Sequence, residues 1–219
     1  MNPGYLFIYV VDRDFGFAPN PFHGMCTLAT CKPRLRRSAQ VGDWVLGVGG
    51  SRLKATGRCV FAMRVGRILT FNQYWRDIAF RDKRPIRNGS KKMMVGDNIY
   101  HRRSPTEPWR QEDSHHSLPD GKLNPHNVSN DTQTDAVLVG DVFFYFGASA
   151  PFIPKSLLAA IGYKNGRSYR KFAMNTAASK LIKWLTTTYA GAENTLLGDP
   201  FDFGNSSARY SAHTNKVSV

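Results

Sequence analysis

A chain of 219 residues that is 42% hydrophobic and 21% charged can bury a full core without disulfide staples, so small cross-linked scaffolds and disordered chains are excluded. Thirty Lys and Arg against 16 Asp and Glu give a formal net charge of +14, which favours a polyanionic partner. The longest apolar stretch, Asp135 to Pro154, is interrupted by Asp141, Gly147 and Ser149, so a soluble protein with no membrane partner is expected.

Met1 to Val11 has no positive charge before its short apolar stretch and no small-residue cleavage site, so no secretory signal is expected. Cys26, Cys31 and Cys59 are an odd set of thiols, which fits a reducing, cytoplasmic setting.

Tyr5 to Val11 is predicted as a buried opening strand, rich in aromatic and β-branched residues. Asp12 to Phe22 follows as a loop, restrained by Gly16, Pro19 and Pro21. Met25 to Thr30 reads as a second strand, then a basic turn from Cys31 to Arg37, then a short strand from Trp44 to Val48 closed by Gly49 and Gly50. Gly57 to Val65 alternates as a further strand, and short strands parted by Gly-containing turns suggest a small barrel. Phe71 to Phe80 has helical spacing. Arg81 to Thr134 is polar and broken by Pro85, Pro105, Pro108, Pro119 and Pro125, and is read as an insertion carrying function or mobility. Ala136 to Phe146 is a strand, Ser156 to Ile161 a short helix, and Arg170 to Tyr189 a long helix with an apolar stripe of Met174, Ala177, Leu181, Trp184 and Leu185. The expected organisation is one α+β domain over 1–190, either a small PUA-like β-barrel or a strongly bent sheet with flanking helices and a polar insertion near 81–134, followed by a flexible tail at 191–219.

Charge is distributed in segments. From Lys32 to Lys92 there are 16 Lys and Arg against three acids, while Asp97 to Asp141 holds eight acids against four bases. The basic stretch is Arg-rich and threaded with Phe71, Tyr74, Trp75 and Phe80. Guanidinium groups pair with phosphate and aromatic rings stack on bases, so DNA or a nucleotide is the expected partner, with RNA as another. The same aromatics would serve equally as core, with the bases on a solvated face.

His101, His115, His116 and His126 share a segment with Asp97, Glu112, Asp113 and Asp120. No tight His pair or Cys pair at zinc spacing occurs, so no metal is expected. Adjacent His115 and His116 point different ways, so at most one faces a given site. A catalytic reading would use one of these His as general acid or base, oriented by Asp97 or Asp113, with Arg102 or Arg103 holding a phosphate. No phosphate-loop, dinucleotide or nucleophile-elbow motif is present, and no cofactor is indicated. Cys26 and Cys31 are read as small buried residues in or beside strands, with a nucleophile role as the alternative. The loop Asp12 to Phe22 can frame a flipped base with stacking rings and polar edges, or else close one end of a barrel.

The blocks GFAPNPF (Gly16 to Phe22), CTLATCKPRLRR (Cys26 to Arg37), GDWVLG (Gly42 to Gly47), GDNIY (Gly96 to Tyr100) and FYFG (Phe144 to Gly147) resemble the nucleotide modification associated domain 2 family. The resemblance implies phage and bacterial systems that modify or recognise modified DNA bases, and it supplies no reaction. GDWVLGVGG with the strand from Gly57 is similar, at the level of fold, to PUA-like domains including the EVE and ASCH groups.

The resulting expectation is a nucleic-acid or nucleotide-binding domain of a base-modification or phage-defence system. Asp14, Phe17, Asn20, Trp44, Asn98 and Tyr100 would contact a base, and Lys32, Arg34, Arg36, Arg37 and Arg102 would contact phosphate. The alternative is an enzyme acting on a nucleotide or a DNA base through Asp97 and His115. Whether the chain is catalytic, and what protein partners it has, is left open by the sequence.

Overall fold

The computed structural model describes residues 4–218. Met1 to Pro3, part of the stretch read for a secretory signal, and Val219, the end of the expected tail, lie outside the described residues. In chain order the elements are β1 (Tyr5–Val11), β2 (Thr27–Leu28), α1 (Pro33–Ser38), β3 (Trp44–Gly49), β4 (Cys59–Leu69), α2 (Phe71–Arg76), α3 (Lys91–Met94), β5 (Tyr100–His101) and β6 (Arg110–Gln111). They continue with α4 (Pro125–Asp131), β7 (Val137–Tyr145), α5 (Lys155–Ala160), β8 (Tyr169–Ala173), α6 (Thr176–Thr188), β9 (Thr195–Leu196), β10 (Arg209–Ser211) and β11 (Lys216–Ser218).

The mixed α+β class is as expected, and the barrel is not. Seven strands form an open sheet in the order β2-β7-β4-β3-β1-β8, with β9 beside β7. β2 and β8 end the order, so the sheet does not close, and β1 runs parallel to β3, which needs a crossover instead of a hairpin. Short strands and glycine turns are shared by barrels and open sheets, and this is why the local pattern suggested closure.

The chain divides into two compact units. The first comprises, of the described residues, 4–14, 39–67 and 140–201. Its strands β1 and β3 are buried almost throughout, which explains their unbroken apolar sequence. Gly47 lies against Phe61 and Val11, where an added Cβ would fall 2.3 Å from the Phe61 ring; only glycine lets the strands meet there. Helix α6 buries Ala178, Leu181 and Leu185. It is shorter than the predicted helix because Tyr169–Ala173 pairs with β1 as β8.

The second unit comprises, of the described residues, 15–38, 68–139 and 202–218. Its core joins Phe15, Phe17 and Phe22 of the first loop to Phe71, Tyr74, Phe80, Ile99 and Tyr100. The stretch read as a polar insertion belongs to this unit. Residues 191–218, read as a tail, carry β9 and the β10–β11 hairpin. Among the described residues no helix is long and apolar enough to cross a membrane.

Candidate active site

Cys31, His116 and Asp131 come together in the second unit although 85 and 100 residues separate Cys31 from the other two. Three local structures place them. Cys31 ends the extended segment after β2 and precedes Pro33, the first residue of α1. It and Lys32 have φ of 56° and 41°, a left-handed conformation that L-residues adopt only where surroundings impose it. Here the Cys31 N–H donates to Asp131 Oδ1 at 2.8 Å and its carbonyl accepts from Arg36 Nε at 2.8 Å. Asp131 is the last residue of α4, whose start is fixed by Pro125 and by the Asn124 side chain accepting from the backbone of His126 and Asn127. His116 lies in a turn stitched by Ser114 and Ser117, and its carbonyl accepts from Gln111 and Asn127 side chains.

The three side chains form a line. Cys31 Sγ lies 3.7 Å from His116 Nε2, and His116 Nδ1 lies 2.7 Å from Asp131 Oδ2. Sulfur and carboxylate therefore address different nitrogens of one ring. His116 is 2% exposed and Asp131 0%, whereas Cys31 is only half-buried, so Cys31 is the least buried residue of the three. Burial opposes charge on His116, but the Asp131 carboxylate and Cys31 outweigh it and raise the imidazole from its ordinary 6.5 to about 10. Burial likewise works against an ionised Asp131, and His116 with Arg36 overcomes it, holding the carboxyl below its ordinary value. The pair is thus an imidazolium and a carboxylate, with Nε2 of the ring on the side of the Cys31 sulfur.

The same atoms lie within 4.8 Å of one another, a spacing that a cation such as zinc also uses. The hydrogen bonds argue for a proton relay instead. Asp131 Oδ1 accepts from Cys31 N and Asn130 Nδ2, and Oδ2 from Tyr100 Oη at 2.9 Å and from His116. Its acceptor positions are filled by this network. Phe17 covers one side of His116 at 4.7 Å between ring centres, and Tyr210 lies at 5.7 Å.

Residues singled out by sequence occupy several places. Tyr100 reaches this site, but as a donor to Asp131 in place of a base-stacking ring, and Phe17 packs on His115 and His116. Arg36 is 1% exposed, with its guanidinium on the carbonyls of Cys31, Asp131, Thr134 and Ala136, which closes it to phosphate. Lys32 is half-exposed and Arg34 and Arg37 are exposed. Arg102 lies 4.1 Å over Trp109. His115 is 4% exposed, packed on Phe15 and facing the Ala208 carbonyl through Nδ1 at 2.6 Å.

Asp97 is 1% exposed and accepts from Thr27 Oγ1 and Tyr74 Oη, both at 2.7 Å. Burial raises its carboxyl above the ordinary value, against the pull of Lys83. Asn20 accepts from Lys83 Nζ and donates to the carbonyls of Gly16 and Val95. Asn98 donates to Tyr74 and Phe80 carbonyls. These three hold the loop and α2 to the core, with no accessible edge for a base. Asp14 and Trp44 belong to the first unit: Asp14 accepts from Tyr145 Oη and Phe201 N, and Trp44 lines an open groove of about 650 Å³ with Arg64, Met174 and Lys183.

Asp131 was not picked out from sequence, His116 was named only within the histidine cluster, and Cys31 was read as a small buried residue with a nucleophile role as the alternative. The available signal was a cysteine at a strand-to-helix turn followed by Lys-Pro, a position where nucleophiles are commonly presented.

The family model described as nucleotide modification associated domain 2 matches residues 4–207 of the 219. No curated protein and no solved structure matches the chain. The chain therefore belongs to the nucleotide modification associated domain 2 family, whose name ties it to nucleotide modification.

Proposed function

We propose that the chain is an enzyme of a nucleotide or DNA modification system in which Cys31 is the nucleophile, His116 moves the proton and Asp131 holds the ring. The observation that carries this is the Sγ–imidazole–carboxylate line with spacings of 3.7 and 2.7 Å, which ends on the half-buried residue Cys31. Nucleophile, base and orienting acid within such reach are the parts of covalent catalysis. Asp97 and His115, the acid–base pair expected from sequence, have no part in it: both are buried among protein partners. Purified protein and its Cys31→Ala variant, incubated with modified and unmodified nucleotides and DNA and followed by mass spectrometry, are the test. A substrate mass change made by the wild type and lost in the variant supports the enzyme; a change that the variant also makes refutes it.

A second role, capture of nucleic acid before reaction, is favoured by the exposed Arg34 and Arg37 and by Arg102 over Trp109. It requires affinity that falls steeply with salt. Binding flat between low and physiological salt would remove it. A cytoplasmic place in phage defence follows from the same proposal.

A further inference from the structure

We infer that the Cys31 site carries out acyl transfer, opening an amide or ester on a nucleotide through a thioester on Cys31. The inference rests on the proposed nucleophile and adds the bond that it breaks. Three alternatives for a reactive thiol fit less well. Disulfide chemistry needs a second thiol in reach, and the other two, Cys26 and Cys59, are 0% exposed, with burial pushing the Cys26 thiol up to about 12. Metal ligation competes with the hydrogen bonds that already fill Asp131. Conjugate addition to a pyrimidine ring needs a thiolate but not an Asp-anchored imidazole aimed at the sulfur. Acyl transfer uses every part present, because a proton must leave the thiol and then reach the departing group.

Atoms balance without an oxidant or reductant. Cys31 Sγ attacks the carbonyl carbon and an S–C bond forms; the C–N or C–O bond breaks, and the amine or alcohol leaves with the proton from His116 Nε2. Water, losing a proton to the same nitrogen, attacks the thioester carbon; the S–C bond breaks and the sulfur regains its proton. With Nδ1 held by Asp131 at 2.7 Å, Nε2 is the nitrogen facing sulfur throughout. The nucleotide part of the substrate follows from what adjoins the nucleophile. From Lys32 to Gln40 there are four bases and no acid. Arg36 is turned inward and Arg37 donates to the Gln133 carbonyl; Lys32 and exposed Arg34 follow Cys31 directly in the chain, and a basic run of this kind attracts phosphate.

The test pairs a neutral acyl donor, p-nitrophenyl acetate, with a phosphate-bearing one, acetyl adenylate, and follows both product release and intact protein mass. The expected result is a burst, an acetyl adduct on Cys31 that hydroxylamine removes, and continuing turnover. His116→Gln and Asp131→Asn should slow turnover on the order of 100-fold, and Cys31→Ser, the conservative variant, should abolish the adduct while keeping the fold by circular dichroism. Lys32→Glu with Arg34→Glu should raise KM for acetyl adenylate about tenfold, a much larger factor than for p-nitrophenyl acetate. Acyl transfer is overturned if Cys31 reacts with iodoacetamide yet forms no hydroxylamine-labile adduct, or if turnover ignores His116. Equal effects of the double variant on both donors would overturn the phosphate contact. Failure of Cys31 to react even with iodoacetamide would instead remove the nucleophile itself.

Discussion

Two buried polar clusters in the second unit look alike in composition and differ in what they leave open. In one, Asp97 accepts from Thr27 and Tyr74, and Lys83, 0% exposed, donates to Asn20 Oδ1, the Asn20 carbonyl and the Met25 carbonyl at 2.6 to 2.9 Å. Met25 is half-buried but enters only through its backbone carbonyl, and the side chains of this cluster, Asp97, Thr27, Tyr74, Lys83 and Asn20, are all buried. In the other, Asp131 and His116 are just as buried, but the line ends on the side chain of a half-buried cysteine, Cys31. A buried acid or base marks a reaction site only when its chain of contacts ends on an atom that a substrate can touch; otherwise it fixes a loop.

The largest effect that would break this comparison is on chemistry. Cys31→Ala should abolish thiol labelling and any turnover, while Asp97→Asn should leave the labelling rate of a folded protein within about twofold; a labelling assay after mild purification reads both. Next, Asp131→Asn should slow labelling at least tenfold and also cost about 3–5 kcal/mol of stability, since it leaves the buried imidazolium without its partner. Urea unfolding measures the second part. Lys83→Met should cost about 1–3 kcal/mol for each acceptor left bare and leave labelling unchanged, which separates the structural cluster from the reactive one.

The two clusters should also respond to pH with opposite signs. The folded pKa of His116 is raised from 6.5 to about 10, so its stabilisation is complete below 6.5 and is lost as pH rises towards 10. Burial lowers Lys83 from 10.5 to about 8; the folded state then binds fewer protons than the unfolded one between those values, so its contribution rises with pH over that window. Denaturant midpoints at about pH 7 and about pH 9 should shift down less in His116→Gln than in wild type, and down more in Lys83→Met. The smallest effect is Lys32→Glu with Arg34→Glu, which should stay within about 0.5 kcal/mol in stability while weakening DNA binding in a salt-dependent way.

Where burial was decided locally, the sequence was informative. β1 spans the predicted Tyr5–Val11, and β3, β7, α2 and α5 begin within a residue or two of their predicted starts, because each is a short apolar run bounded by turn residues. Sheet closure was misjudged because strand pairing is set by partners far away in the chain, such as β1 with β3 and β8. The site was harder still. Its members are a Cys, one of two adjacent His and an Asp that closes a short helix, and no spacing links them. Tyr100 and Phe17 were singled out as base contacts and lie beside the triad in other roles. Arg36 counted as surface charge, yet it is buried on the carbonyls of both Cys31 and Asp131; composition cannot tell an inward guanidinium from an outward one.

The most direct measurement is the rate of iodoacetamide labelling of each cysteine at neutral pH, read by peptide mass spectrometry, in wild type, His116→Gln, Asp131→Asn and Lys83→Met. A reactive relay requires that Cys31 is labelled while Cys26 and Cys59 are silent, that the rate falls at least tenfold in the first two variants, and that it is unchanged in the third. Labelling of Cys31 no faster than that of a free cysteine and indifferent to His116 would contradict it.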